Sequence, residues 1–345
     1  RIKEDNYTMR AAIYGAGAMG SVRGAYIARA GKQIDLINRN RAHIEAMKKE
    51  GAHVVGTVDF VQPVTALLPE EMTGKYDLIF LMTKQSDNAR IVAFLKDHLS
   101  ENGVICTMQN GLPEALIAEI IGADNTYGCA VAWGATFLGE GKSELTSSPE
   151  ALTFSLGAYG KADGRLGEIK AYLECMGPVT VEENFIGARW SKLLINAAFS
   201  GISTFTGLTF GEIAKHKTGK RVALEVIQEC IRVAAAANIK IEPIQGHDIE
   251  KLLGYRGAVK KAIALFILPI AMKKHAALIS SMLQSLRQGK KCEIDYIDGV
   301  VCDFGRKYGV VTPVCDKICA LVHEIEDGKR QIATDNLREF SALIG

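Results

Sequence analysis

Residues 11–20 read Ala11-Ala12-Ile13-Tyr14-Gly15-Ala16-Gly17-Ala18-Met19-Gly20. The first four form a short apolar run that stops at a glycine, as a buried strand does. The next six match the spacing GxGxxG. Beyond them Met19, Val22, Tyr26 and Ile27 recur at helical spacing, Gly31 can end that helix, and residues 34–37 form a second apolar run. Strand, glycine turn, helix and strand at this length make a βαβ unit. In that setting Gly15 permits the tight turn, Gly17 lets a pyrophosphate approach the backbone, and Gly20 lets helix and strand pack closely. The N-terminus of the helix offers free N–H groups and a partial positive charge to phosphates, with Ala18 and Met19 in its first turn. The stretch therefore predicts a dinucleotide-binding unit. On its own, GxGxxG would carry little weight, because glycines also serve ordinary turns.

Working outward, residues 77–82 and 104–108 are further apolar runs that end at polar residues. Strands alternating with helices imply a mostly parallel sheet covered on both faces, so the fold class is α/β with a Rossmann-type, doubly wound N-terminal sheet. Residues 127–136 and 152–156 read as strands without long helices between them and are expected to extend or flank that sheet. Val179–Val181 is the last strand signal. From residue 184 onward helical stretches dominate, at 185–199, 220–237, 259–281, 296–307 and 314–326. The expected organisation is a Rossmann domain over residues 9–183 and an all-helical domain over residues 184–345. No Ser/Gly-rich linker separates them, which points to tight packing with a cleft.

A chain of 345 residues has room for two such cores. Apolar residues make up 48% and charged residues 23%, which excludes a largely disordered chain. The 41 Lys and Arg nearly balance the 39 Asp and Glu, so no whole-protein field draws in nucleic acid or an acidic membrane. Lys215, His216, Lys217, Lys220 and Arg221 cluster without aromatic interleaving and read as a solvated helix start. The eight cysteines show no CxxC spacing. Cys315 and Cys319 sit one helical turn apart with no His or second pair to complete a metal site, so reduced thiols and no metal are expected. Residues 1–8 (RIKEDNYT) are polar and show no secretory apolar region. The longest apolar run, residues 262–272, is too short to span a bilayer and reads as a buried helix. A soluble, cytoplasmic protein is the expectation.

Cofactor choice is read at the end of the second strand, Leu36-Ile37-Asn38-Arg39. An NAD-specific site places an acid there for the ribose 2′-OH. Asp35 lies too early in the run to do so. Asn38 holds the tip and Arg39 follows, and a guanidinium can pair with a 2′-phosphate that a carboxylate would repel. NADP is therefore favoured over NAD. Two further segments end at the same sheet edge. Thr83-Lys84-Gln85 brings Lys84 near the cofactor, and Gln109-Asn110-Gly111 brings a side-chain amide near the reacting centre.

In the helical half a proton donor is needed, because reducing a carbonyl puts negative charge on its oxygen. Lys192 and Asn196 lie four residues apart on one face of the predicted helix at 185–199. From periodicity alone Lys192 reads as a surface charge. Ser280-Ser281-Met282-Leu283-Gln284 and Lys291-Cys292-Glu293-Ile294-Asp295-Tyr296 form a polar-rich region. Glu293 there suits either a lysine or substrate partner or the N-terminus of a helix. Spacing alone leaves both readings open.

Taken in order, these residues resemble the ketopantoate reductase (2-dehydropantoate 2-reductase) family. The resemblance runs from Met9 to about Ala320. It rests on GAGAMG, Asn38-Arg39, Lys84, Gln109-Asn110-Gly111, Trp190-Ser191-Lys192-Leu193 with Asn196, Thr206-Gly207 with Gly211-Glu212, the Ser280–Gln284 segment, and Glu293-Ile294-Asp295-Tyr296. It implies NADPH-dependent reduction of ketopantoate or a related 2-oxo acid in the cleft between a Rossmann and a helical domain. By this resemblance Lys192 is the general acid and Glu293 its acidic partner on a substrate hydroxyl. Asn110 and Asn196 are active-site amides, Ser281 contacts the carboxylate region, and Arg39 and Lys84 meet the 2′-phosphate. Gly15, Gly17, Ala18, Met19, Gly20, Asn38 and Asn110 complete the cofactor contacts.

Three positions depart from the family pattern. Ser200 and Phe210 stand where ketopantoate-specific members carry Asn, and Asp298 stands where Asn is common. Ser200 then takes a substrate-facing place, and loss of two amides leaves open a best substrate other than ketopantoate. Two other readings stay open. A β-hydroxyacid or 6-phosphogluconate-type dehydrogenase shares the glycine motif, a helical domain and a catalytic Lys. A noncatalytic NADP(H)-binding sensor would share the glycine motif but would not need both Lys192 and Glu293. The expected partner is a small 2-oxo acid, with neither nucleic acid nor membrane. The resemblance implies a monomer or a homodimer, with the homodimer as the expectation.

Overall fold

The computed structural model describes residues 9–161, 164–244 and 246–344. The polar stretch at residues 1–8 lies outside them. The chain divides into two units, one of residues 1–109 and 113–185, the other of residues 110–112 and 186–345.

The strands of the first unit are β1 (Ala11–Tyr14), β2 (Asp35–Ile37), β3 (Ala52–Gly56), β4 (Phe60–Gln62), β5 (Thr65–Leu67) and β6 (Tyr76–Leu81). They continue with β7 (Leu99–Thr107), β8 (Thr126–Val131), β9 (Ala135–Gly139), β10 (Lys142–Leu145), β11 (Phe154–Ala158) and β12 (Val179–Val181). Its helices are α1 (Ala18–Arg29), α2 (Arg41–Glu50), α3 (Asn88–Lys96), α4 (Glu114–Ile121) and α5 (Arg165–Leu173). One sheet has the order β12-β11-β8-β7-β6-β1-β2-β5. Its neighbours run parallel except β11, which is antiparallel to β8. All six residues of β6 are buried, as a strand covered on both faces requires. Ile13, Leu36, Leu78 and Phe80 face Val22 of α1 and Leu173 of α5. On the opposite face Ala12, Ile79, Leu81 and Ile105 meet Leu95 of α3 and Ile117 of α4.

A second sheet, β4-β3-β10-β9, packs against α1. The run at 127–136 is therefore not one strand flanking the main sheet. It breaks after Val131, and its second half becomes β9 of the other sheet. Gly134 sits in the connection, and its N–H donates to Ser147 Oγ (3.0 Å). The strand expected at 152–156 is shifted to Phe154–Ala158, behind a short turn at Pro149–Ala151.

The second unit contains α6 (Phe185–Asn196), α7 (Ile202–Thr206), α8 (Phe210–Lys215), α9 (Lys217–Ala236), α10 (Ile249–Leu253), α11 (Ala258–Ala271), α12 (Ser281–Arg287), α13 (Asp298–Tyr308) and α14 (Pro313–Glu326). A π turn at Ala197–Gly201 joins α6 to α7. A capping box of Thr209 and Glu212 starts α8, and Pro313 opens α14. Val222, Val226, Ile227, Cys230 and Val233 of α9 lie in the core with Trp190, Ile318 and Leu321. Glu229, also on α9, is buried and accepts from Val314 N and Cys315 N (2.9 Å each), which caps α14. Burial pushes its carboxyl up from the usual range, and those two amides oppose the shift.

The apolar region at 259–281 is not a single helix. α11 stops at Ala271, a short turn follows at Lys273–His275, and α12 starts with Ser280 as N-cap. Nor is α11 buried: Val259 is 78% and Phe266 73% exposed, and Ile263 and Ile270 lie open with them. Among the described residues no helix is long and apolar enough to cross a membrane, and all eight cysteines carry free thiols.

Candidate active site

The chain leaves β1 at Tyr14 and turns through Gly15 at φ 104°, in the region that favours glycine. A Cβ on Gly15 would lie 2.6 Å from Thr83 N, and one on Gly20 would lie 2.5 Å from Gly15 O. At Gly17 the nearest atom to such a Cβ is Asn38 Nδ2 at 4.0 Å, so that side of the turn is open. Gly15 N and Ala16 N both donate to Ile37 O (2.9 Å each), and Gly17 N donates to Gly15 O (2.7 Å). These amides are spent on the turn. The first N–H groups of a helix lack partners within it, which leaves those of Ala18, Met19 and Gly20 for an anion.

Beside the turn, at the carboxyl edge of the sheet, lies a depression of about 270 Å³ lined by Gly15, Gly17, Asn38, Arg39, Lys84 and Arg90 among others. Arg39 is 85% exposed, and its guanidinium stands 4.0 Å from the Asp87 carboxylate. Arg90 lies 3.7 Å from the same carboxylate. Burial pushes the Tyr14 hydroxyl up from its ordinary value, and Arg90 and Arg39 act against that shift. The Asn38 side chain accepts from Asn40 N (2.9 Å), which fixes its amide at the tip of β2. Asp35 sits at the opposite end of β2, where it accepts from Tyr76 Oη (2.7 Å) and pairs with Arg10 (3.3 Å). It is spent on that network. Two larger depressions, about 780 and 730 Å³, lie at the amino edge of the sheet beside Asp77 and Asp35. Ligands of open α/β sheets bind at the carboxyl edge, so the smaller depression is the relevant one.

Gln109, at the end of β7, is a buried fastener. Its Oε1 accepts from Asn88 Nδ2 (2.9 Å) and Thr107 Oγ1 (3.0 Å), and its Nε2 donates to Thr83 O (2.8 Å) and Asn88 Oδ1 (2.7 Å). It ties the ends of β6 and β7 together. Asn110, next in the chain, is half-buried and groups with the second unit.

In the second unit Lys192 and Asn196 lie on α6, half-buried and one turn apart. Ser200, one turn further on, falls in the π turn and is half-buried. Thr204 Oγ1 donates to Ser200 O (2.6 Å) and bonds Ser280 Oγ (3.1 Å). Ser280 in turn accepts from Met282 N (3.1 Å). The structure thus draws the start of α12, with exposed Ser281, up to the turn that holds Ser200. Glu293 is half-buried ahead of a short turn, Ile294–Tyr296. Glu326 accepts from Cys292 N (2.8 Å) and His323 bonds Asp295 (2.9 Å), so α14 fixes the segment on either side of Glu293.

Two of the departures, Phe210 and Asp298, are buried. Phe210 is buried and packs on Phe199 with ring centroids 5.5 Å apart. It belongs to the core, so it is not offered to a substrate as its place in the pattern suggested. Asp298 is fully buried, and neither carboxylate oxygen has a hydrogen-bond partner among the described residues. A Cβ at Gly201 would meet Asp298 Oδ2 at 2.7 Å and Ile318 Cγ2 at 2.8 Å, so glycine lets these side chains pack against the π turn. Burial raises the Asp298 carboxyl well above the usual range. Asp87 and Arg90, which flank Arg39, escaped the sequence reading because they arrive on a short turn and α3 with no motif of their own.

A doubly wound sheet with a glycine turn and a cationic depression at its carboxyl edge defines a Rossmann-type dinucleotide-binding protein. The ketopantoate reductase PanE/ApbA family matches residues 11–158, and its C-terminal part matches residues 184–326. The chain belongs to this family of NAD(P)-dependent oxidoreductases acting on a CH–OH group. It is 28% identical over 321 residues to the 2-dehydropantoate 2-reductase of Pyrococcus horikoshii, covering 91% of this chain and 96% of that protein. It is 26% identical over 318 residues to that of Streptococcus pyogenes serotype M3, covering 91% and 97%. Among solved structures, D-mandelate dehydrogenase with NADH superposes with a TM-score of 0.76 at 25% identity, covering 93% of this chain and all of that one (100%).

Proposed function

We propose that the chain is an NADPH-dependent 2-oxo acid reductase that converts 2-dehydropantoate, or a close relative, to the 2-hydroxy acid. The observation that carries this reading is the family match over both units, joined to the cationic depression beside the glycine turn. In this reading the first unit, through the opening amides of α1 with Asn38, Arg39 and Lys84, holds the dinucleotide. Asn110 adds a further cofactor contact. Arg39 and Lys84, with Arg90 nearby, favour a 2′-phosphate, and the carboxylate of β2, Asp35, is engaged at the far end of that strand. The bound cofactor supplies a hydride to the carbonyl carbon.

The chain's own residues handle the rest. Lys192 donates a proton to the carbonyl oxygen, which becomes the hydroxyl, so charge does not build up on that atom. Asn110, Asn196, Ser200 and Ser281 orient the substrate's polar groups, and Glu293 accepts from a substrate hydroxyl. Short side chains at Ser200 and Ser281 leave room, and D-mandelate dehydrogenase is among the structural neighbours. A second reading, a bulkier apolar 2-oxo acid as the best substrate, follows from that combination.

The test is oxidation of NADPH and of NADH with 2-dehydropantoate, with the hydroxy acid product identified by mass. Turnover with preference for NADPH is expected. Oxidation of a 3-hydroxy acid with no reduction of any 2-oxo acid would overturn the assignment.

A further inference from the structure

His43, on α2, is fully buried and touches the phosphate-binding turn from behind. Its Nε2 lies 3.0 Å from Ala16 O and 3.0 Å from Ser21 Oγ. Ser21 Oγ itself donates to Ala16 O at 3.1 Å. On the other side of the ring, Nδ1 accepts from Gly141 N at 2.9 Å, in the β9–β10 hairpin of the second sheet. That bond fixes the tautomer: Nδ1 is the acceptor, so Nε2 carries the hydrogen and donates toward Ala16 O. One imidazole therefore links the middle of the glycine turn to the second sheet.

We propose that His43 and Ser21 are positioning residues for the dinucleotide, holding the Ala16 carbonyl turned into the protein so that the turn keeps its open side toward the phosphates. The inference rests on the cofactor site proposed above. A carbonyl released from this grip could rotate its negative end toward the pyrophosphate, in the turn whose other amides are already spent on Ile37 O and Gly15 O. The second sheet then has a role beyond packing, since it supplies the Gly141 amide that orients the ring.

The clamp works only with neutral imidazole, because a protonated Nδ1 would face the Gly141 N–H. Burial lowers the pKa of His43 from its ordinary value, and the Ala16 carbonyl partly opposes that. The groups facing the ring are the Ser21 hydroxyl, the Ala16 carbonyl, the Gly141 amide and the Phe137 ring, 4.9 Å away and nearly perpendicular. None of them is charged.

The test is the Kd of NADP⁺ by titration calorimetry from about pH 5 to about pH 8. It would use wild type, His43→Leu, His43→Gln and Ser21→Ala, with melting temperatures recorded alongside. His43→Leu should weaken binding roughly tenfold, the size of one buried hydrogen bond. His43→Gln keeps a donor at the Nε2 position and should recover part of that loss. Ser21→Ala should fall between wild type and His43→Leu. Wild-type affinity should drop on the acid side relative to His43→Gln, which has no titrating ring. Unchanged Kd in all variants with lowered melting temperatures would make the contacts merely structural and overturn the inference alone. A wild type that binds neither NADP⁺ nor NAD⁺ would overturn the cofactor site and the inference with it.

Discussion

Arg39→Ala separates the two nicotinamide cofactors. The Arg39 side chain is 85% exposed, and its nearest carboxylate, Asp87, stands 4.0 Å away. A hydrogen bond to a charged group contributes about 1.5–3 kcal/mol when well placed. Exposure on this scale screens the interaction, so about 1–2 kcal/mol is the share expected of Arg39 if it meets the 2′-phosphate as proposed. That corresponds to a loss of roughly 5- to 30-fold in NADPH affinity. NADH has no 2′-phosphate to lose, and its Kd should change by less than about twofold on the same reasoning. Fluorescence titration of both cofactors against wild type and Arg39→Ala gives the two ratios. Repeating the titration at high salt should shrink the NADPH effect, because an exposed pair is screened. Equal losses for NADPH and NADH would refute the 2′-phosphate assignment of Arg39.

Other expectations follow from individual contacts. Asp87→Asn removes the carboxylate 4.0 Å from Arg39 and 3.7 Å from Arg90, and should tighten NADPH by about two- to fivefold in the same titration. Gln109→Leu leaves Asn88, Thr107 and Thr83 without their buried partner; urea unfolding should show a loss of about 2–4 kcal/mol. Asp298→Asn tests the buried carboxyl through pH. Its folded pKa is raised by burial, so above the ordinary carboxyl range the unfolded state releases a proton that the folded state keeps. Stability of the wild type therefore falls as pH rises, by about 1.4 kcal/mol per unit from this group, and the variant lacks that slope. Urea unfolding at several pH values should show the variant gaining on wild type from mild acid toward neutrality, whereas parallel curves would count against a protonated Asp298.

Much of the first unit could be read from local sequence. β1 and the glycine turn carry their own signals, and the ends of β2 and β6 bring Asn38, Arg39 and Lys84 to one depression because a parallel sheet aligns its carboxyl ends. What stayed hidden depends on distant pairing. β3 joins β10 across the chain, with His53 opposite Lys142, and nothing local in either short segment names its partner. His43 shows why a lone histidine on a helix gave no signal. Its meaning comes from Ala16 and Gly141, 27 and 98 residues away. The apolar stretch of α11 misled in another way, since composition cannot tell a buried apolar face from an exposed one. In the second unit, periodicity put Lys192 and Asn196 on one face, but their proposed chemistry came from the resemblance. Phe210 marks the limit of that approach, because a position matched in sequence turned out to pack in the core.

The central claim is that Lys192 protonates the carbonyl oxygen of a 2-oxo acid. The direct measurement is kcat/KM for NADPH-driven reduction of 2-dehydropantoate, pyruvate, 2-oxoisovalerate and bulkier apolar 2-oxo acids, on wild type and Lys192→Ala, with the NADPH Kd measured for both. Loss of a general acid should lower kcat/KM for every accepted substrate by about 10²- to 10⁴-fold, with the NADPH Kd within about twofold of wild type because the proposed dinucleotide contacts are other residues. Turnover by Lys192→Ala at the wild-type rate, or tight NADPH binding by a wild type that reduces none of these acids, would contradict the account.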